Sequence, residues 1–524
     1  MNETRILKLP LTVFTFTVFV FAIAFSLSAQ DISPAKLRTL YNSLDPKSIA
    51  QHLAFYDLYS DTPEGQQTLQ DAYSLLSGGA QINAQPSMLP TTLLTSIQAI
   101  VGLVNKLPGD EEADLNATEL WQIEQLAGRL PNRRLAGFRA TSEAQVMALP
   151  PDQIDLARGI LLSQLGSNET AFRKIRNYEA AIDLMALQIL TRVGLNDSPK
   201  TKIRAINHYI FEEMGFRFPP HSTFAKDVDL YTFLPSVLDS RRGVCLGVSI
   251  LYICLAQRLN LDLEIVTPPG HIFVRWHKNN QEINIETTAR GVNLPTEEYL
   301  GVDTRKLEQR NIKETIGMAH FNQASVFWER QEYDKVLASY LKSQPYLPDD
   351  KQLVTLMGYA YMLNGDEEEG KKLLHQVVGY LPDHSVSKDT LAEDFFSGNV
   401  DVEGIRAVFM RVNETRESLI TKRTALEDVL KKYPRFREGI FSLAGTWLQL
   451  HRTGEALEVL EQYHHVDPTN APTEYYLAAL YAERLDYNKA WKHFRIAESL
   501  VHERHHDPKA LLDLKQELAE RCPE

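Results

Sequence analysis

Cys245 stands in the run Arg241-Arg242-Gly243-Val244-Cys245-Leu246-Gly247-Val248-Ser249, and His271 follows 26 residues later. Apolar residues at Val248, Leu251, Leu255 and Leu259 continue from the Gly and Cys as one helical stripe. That pattern puts the thiol at a helix N-terminus, where the macrodipole and unpaired backbone N–H groups favour a thiolate. His271 opens a later strand and can serve as its base, and Glu286 on the return strand can orient the imidazole. A sulfur nucleophile, an imidazole and a carboxylate are the parts of covalent acyl transfer.

Taken singly, each has an ordinary reading. A Cys at a helix start is usually a small apolar residue, the His could simply flank a turn, and the Glu could be a solvated strand residue. The order of Cys helix, His strand and acid strand joins them. Arg241 and Arg242 could stabilise an anionic thiol or bind a substrate carboxylate. The preferred reading is structural, in ion pairs with Asp227, Asp229 or Asp239.

The elements that must position these residues can be read locally. Ser198 as N-cap and Pro199 at the first position open a helix whose face carries Ile203, Ile206, Ile210 and Met214, with Gly215 as its stop. A short helix is expected around Phe233–Leu238, and then the Cys245 helix, ending near Asn260. Strands are expected at 263–266, 271–276 and 282–287, with Pro268-Pro269-Gly270 as a turn. With Asn279-Asn280 at the hairpin tip, Trp276 pairs with Ile283 and Val274 with Ile285. The other face then carries His271, Phe273 and Arg275 with Asn284 and Glu286. Glu286 becomes the diagonal neighbour of His271, about 7–8 Å away between backbones.

The C-terminal half repeats itself. Leu347-Pro348-Asp349 recurs as Leu381-Pro382-Asp383, and Tyr433-Pro434 is followed by Asp467-Pro468, both at a spacing of 34. Gly358, Tyr361, Gly370 and Leu374 fill the small and large slots of a tetratricopeptide unit. Ala444, Trp447, Ala456 and Leu460 fill them again, as do Ala478, Tyr481, Ala490 and Phe494. A zinc-protease spacing at His502-Glu503-Arg504-His505-His506 sits at the end of the last repeat helix with too little chain after it for a third ligand. It reads as a charged, solvated helix end, and His464-His465 as a surface pair.

A chain of 524 residues needs several domains, and 44% hydrophobic with 23% charged residues is the composition of a folded soluble protein. The net charge of −13 argues against nucleic acid and anionic membrane surfaces as main partners. Arg5 and Lys8 precede an apolar run at 9–27, with small residues at Ser28 and Ala29. This reads as an export signal cleaved after Ala29, giving a periplasmic or secreted protein, with a membrane anchor at 9–27 as the alternative. Cys245, Cys254 and Cys522 make no disulfide framework. Cys254 falls on the face opposite Cys245 and reads as a core residue. Residues 31–150 show short helical stripes broken by Pro and Gly, without chemistry of their own.

The chain thus divides into a signal peptide or anchor at 1–29, a helical N-terminal region at 31–150 and an α+β core at 153–305. Repeats at 315–384, a degenerate repeat or insertion at 385–418, repeats at 419–504 and a C-terminal helix or tail at 505–524 follow.

Residues 171–305 resemble the transglutaminase-like family, and most of all its SirB-type branch, which joins such a core to tetratricopeptide repeats. The resemblance rests on Phe211-Glu212-Glu213-Met214-Gly215-Phe216, Arg241-Arg242-Gly243-Val244-Cys245, Leu251-Tyr252 with Leu255-Ala256-Gln257-Arg258-Leu259, Pro269-Gly270-His271-Ile272-Phe273-Val274-Arg275, and Asn284-Ile285-Glu286-Thr287-Thr288. It implies a papain-like core followed by an α-helical solenoid, with Cys245, His271 and Glu286 as nucleophile, base and orienter. Glu286 stands where many members carry Asp. Some members of the branch lack the Cys; this chain retains it. The implied chemistry is thiol-dependent acyl transfer on peptide or glutamine amides, ending in hydrolysis, deamidation or cross-linking. It calls for no metal and no organic cofactor. The repeats imply a protein or peptide partner, and the alternative is a non-catalytic scaffold with a degenerate core.

Overall fold

In the computed structural model, residues 32–78, 91–110, 114–219, 231–413 and 415–523 are described. The 9–27 run lies outside them, and no helix among the described residues is long and apolar enough to cross a membrane.

Seven helices lead into the core: α1 (Pro34–Asn42), α2 (Ile49–Tyr59), α3 (Pro63–Ser77), α4 (Thr91–Asn105), α5 (Ala117–Leu126), α6 (Glu143–Ala148) and α7 (Leu156–Leu165). The core proper begins with α8 (Glu169–Leu190), α9 (Pro199–Asn207), α10 (Leu234–Ser240) and α11 (Cys245–Arg258). Ser198 caps α9 and Pro199 opens it, as its sequence requires. The helix does not run straight to Met214, however. Residues His208–Glu213 widen into a π-turn, with the Met214 N–H donating to Tyr209 O, before Gly215 (φ 70°) stops it.

Four strands follow in the order β3-β2-β1-β4: β1 (Glu264–Thr267), β2 (Phe273–Lys278), β3 (Gln281–Ile285) and β4 (Glu308–Arg310). All neighbours are antiparallel. The hairpin register is the expected one, with Trp276 opposite Ile283 and Val274 opposite Ile285. Asn279 and Asn280 both take positive φ (50° and 60°), the backbone a two-residue hairpin loop needs. Strand β4, pairing with β1, has no counterpart in the sequence reading.

The N-terminal helices share one apolar cluster with the core, running from Ile49 and Leu53 through Leu255 and Ile285 to Ile316. Polar ties follow the same seam. The Gln257 side chain accepts from Leu156 N–H (3.0 Å) and donates to Ile154 O (2.8 Å), while Asp239 accepts from Lys106 (2.7 Å) and the Tyr178 hydroxyl (2.7 Å).

The remainder is helical: α12 (Ile312–Glu329), α13 (Tyr333–Ser343), α14 (Lys351–Leu363), α15 (Glu367–Leu374), α16 (Leu391–Phe396), α17 (Val402–Val408), α18 (Arg416–Lys432), α19 (Arg437–Gln449), α20 (Thr453–Val466), α21 (Ala471–Glu483), α22 (Tyr487–Glu503) and α23 (Lys509–Arg521). Helices α12/α13, α14/α15, α19/α20 and α21/α22 pair as tetratricopeptide-like hairpins. The small residues act as read: a Cβ at Gly370 would meet Met362 Cγ at 2.4 Å and Gly358 O at 2.8 Å. Ala444, Ala456, Ala478 and Ala490 are buried at the equivalent crossings. Helices α16 and α17 are short, which is why the sequence between 385 and 418 loses the repeat pattern.

Beneath α11 lies a buried charge pair. Arg258, fully buried, donates to Asp183 at 2.6 Å, and Arg133 holds the other Asp183 oxygen. Arg258→Met is expected to cost about 3 kcal/mol, the low end for breaking a buried pair because Arg133 still faces the carboxylate. Calorimetric unfolding of the full chain checks it through a lowered first transition.

Candidate functional site

Cys245 is the first residue of α11, and the N-cap Val244 offers no side-chain oxygen to the helix start. The first-turn N–H groups therefore face outward without a cap from the chain's own N-cap residue. The approach to the helix is fixed by backbone bonds: Gly243 N–H donates to Arg217 O (3.2 Å) and Val244 N–H to Tyr231 O (3.2 Å). A Cβ at Gly247 would lie 2.1 Å from the Tyr231 carbonyl oxygen, so this crossing requires glycine. Cys245 itself is half-buried, whereas residues 246–256 are buried.

His271 is set by the turn before it. Its N–H donates to Pro268 O (3.1 Å), with Pro269 at the second turn position and Gly270 (φ 70°) at the third, the pattern of a type II turn. It stands two residues ahead of β2 rather than opening it, because the ladder begins at Phe273. The ring Nε2 lies 2.6 Å from Glu286 Oε2. The imidazole also hydrogen-bonds the Cys245 side chain, and Nδ1 is the nitrogen left for it. The Cys245 bond and then the Glu286 bond outweigh burial and hold the imidazole's pKa up, at about 10.

Glu286 follows β3 and caps a short 3-10 turn (Thr287–Ala289). Its Oε1 accepts from the Thr288 hydroxyl (2.7 Å) and N–H (3.3 Å), and its Oε2 from His271 and the Tyr299 hydroxyl (3.1 Å). Burial alone would push this carboxyl up; the bonds from His271 and Thr288 overcome it and hold it below its ordinary range. The next residue ties acid to nucleophile. Thr287 Oγ1 donates to Cys245 O (3.3 Å) and shares a 3.0 Å bond with Ser249. The structure thus brings all three sequence-selected residues together.

Tyr299 and Thr287 escaped the sequence reading. Tyr299 stacks on Phe273 (4.3 Å between centroids) and lies parallel to His271 at 6.2 Å. It sits in a segment without periodicity, so no local pattern points to it.

Other residues fall differently. Asp239 is taken by Lys106 and Tyr178, and Arg241 instead donates to the backbone carbonyls of Met214 (3.1 Å) and Lys106. Asp227 and Asp229 lie outside the described residues. Helix α22 ends at Glu503, so His506 leaves the helical face and bonds Gly301 O at 2.8 Å, while exposed His502 pairs with Asp507 at 2.9 Å. The zinc-protease spacing is not a site. His464 is a correction: it is not a surface residue but joins buried Glu474 at 2.6 Å. Cys254 is fully buried, and all three cysteines are free.

Residues 176–316 match the family model of the transglutaminase-like superfamily, so the chain carries a transglutaminase-like domain around these residues. F-box only protein 21 of Mus musculus is 23% identical over 223 residues, which is 35% of this chain and 34% of that protein. The chain thus matches about a third of the length of that relative. Among solved structures, MamA from Desulfovibrio magneticus RS-1 is 15% identical with a TM-score of 0.20, covering 36% of this chain and 97% of that one. The TPR2AB domain of yeast Sti1 in its pHSP90 complex is 16% identical with a TM-score of 0.21, covering 39% and 85%. The repeat architecture rests on the helix pairs themselves.

Unfolded, the His271 imidazole titrates near 6.5; in the fold, near 10. Its contribution to stability is therefore complete below about 6.5 and lost as pH rises towards 10. Replacing Glu286 with Gln is expected to move the His271 midpoint down by a unit or more, and to flatten that alkaline loss. Imidazole NMR titration and pH-dependent melting read the two effects separately.

Proposed function

We propose that this protein is a cysteine-dependent acyl-transfer enzyme acting on peptide or glutamine amides. The observation that carries the reading is the 2.6 Å His271–Glu286 bond with the same imidazole bonded to Cys245. The sulfur attacks the amide carbon, and the C–N bond breaks as protonated His271 gives its proton to the departing nitrogen. A thioester on Cys245 remains. Water or an amine then attacks it while His271 takes the incoming proton, and the thiolate is restored. The developing oxyanion faces the positive end of α11, with the Cys245 N–H as one donor.

Glu286 keeps the ring oriented and favours its charged form, and burial suits it to that task. Export follows from the basic-then-apolar segment at 1–29, with an anchor at 9–27 as the other arrangement. The repeats supply a surface for a protein or peptide partner, as stacked helix pairs do.

Incubating the full chain with a glutamine-containing peptide and an amine, followed by intact-mass analysis, tests this. A Cys245-linked acyl adduct and turnover are expected; Cys245→Ala should show neither. His271→Ala should lower turnover by about 10²–10⁴. Absence of any adduct across a peptide library, with the fold intact, would leave the core as a scaffold for the repeats.

A further inference from the structure

Three successive repeat helices converge on a second cluster of ionisable side chains. Glu474, in the first turn of α21, has a fully buried side chain. Its Oε1 lies 2.6 Å from Nδ1 of His464 on α20, and its Oε2 lies 2.8 Å from Nδ1 of His493 on α22. The two imidazoles cross edge-on at 4.9 Å. One nitrogen or oxygen from each of the three residues lies within 4.8 Å of the others. His493 is buried, and His464, 17% exposed, is the side open to solvent.

Around this set stands an orienting shell. Nε2 of His493 faces Glu461 Oε1 at 3.6 Å, and Glu461 accepts from the Tyr481 hydroxyl at 2.5 Å. Tyr481 stacks on His493 at 5.7 Å. Glu461 and His464 are three apart on α20 and so share one face of it. Lys489 lies beyond Tyr481, its Nζ 3.4 Å from the hydroxyl, and His465 turns away to the Glu461 carbonyl at 2.6 Å.

We propose that His464, Glu474 and His493 form a binding site for a divalent transition-metal ion of the zinc class. Two imidazoles and one carboxylate are a ligand set that such ions accept with a fourth position open. An ion between them takes the place of the two shared hydrogens, and each ring keeps its proton on Nε2. For His493 that proton points at Glu461, the imidazole–carboxylate pairing that orients metal-bound histidines. The N···O separations open by about 0.6 Å to suit metal bonds near 2.0–2.1 Å. Two carboxylates beside two neutral imidazoles carry the charge a divalent cation balances. The site would fix three helices of the last two repeats to one another.

The test uses full-length chain with Cys245→Ala throughout, so that the thiol cannot bind metal. After chelator treatment and desalting, Zn(II) is titrated calorimetrically, and bound zinc is counted by mass spectrometry. One equivalent is expected, with a raised melting midpoint. Adding His464→Asn, at a partly exposed position, should weaken binding at least about tenfold and abolish the zinc-dependent shift with helix content unchanged. Adding His493→Gln should do the same. No stoichiometric zinc, or equal binding with and without His464→Asn, would overturn the proposal.

Discussion

Burying a helix on every side leaves only its ends for chemistry, and α11 is such a helix. From Leu246 to Ala256 every residue is buried, and Arg258 is sealed with them. Each large apolar side chain there contributes about 1.5–3 kcal/mol relative to exposure, so the helix has little freedom to slide or turn. Cys245, at its first turn, is thereby fixed in height and direction. The sheet and the 3-10 turn after Glu286 are referenced to the same helix through Thr287, which bonds both Cys245 O and Ser249. Nucleophile and acid share a mechanical origin.

A second constraint closes the chain on itself. The segment after Tyr299 lies between the core and the far repeats. Glu298 pairs with Lys509 (2.7 Å), Gly301 O accepts from His506 (2.8 Å), and Arg305 reaches both Asp383 (2.6 Å) and Arg504 O (2.8 Å). Val302 and Val386 join the apolar cluster of the last repeats. Tyr299, which donates to Glu286, is therefore held from both sides. The repeats, distant from Cys245 along the chain, abut the segment that steadies its acid.

The hairpin and the repeats were legible because their signals are local or periodic. Alternating apolar residues and an Asn-Asn tip set the register, and recurring small residues 34 apart mark helix crossings. What escaped depends on neighbours remote in sequence. Strand β4 is three polar residues with no alternation, defined only by its pairing to β1. The π-turn at His208–Glu213 leaves the helical stripe intact and so cannot be told from regular helix. His464 read as a surface residue because nothing on its own helix reveals Glu474 on the next. Asp239, a sensible partner for Arg241 by proximity, is claimed by Lys106 from the N-terminal helices.

The length of the acid follows from where the ladder stops. Pairing between β2 and β3 ends at Val274 and Ile285, so both His271 and Glu286 lie beyond the last regular pair. Past that point the backbones are no longer held at strand spacing. The His approaches through a Pro-Gly turn, and the acid leaves through a 3-10 turn. A diagonal strand separation of about 7–8 Å is closed to a 2.6 Å bond by the longer glutamate side chain. Thr288 on one oxygen and Tyr299 on the other then remove the freedom that the extra methylene brings. A carboxylate with four acceptor positions is suited to this, because it can be anchored on both oxygens and still present one to the imidazole.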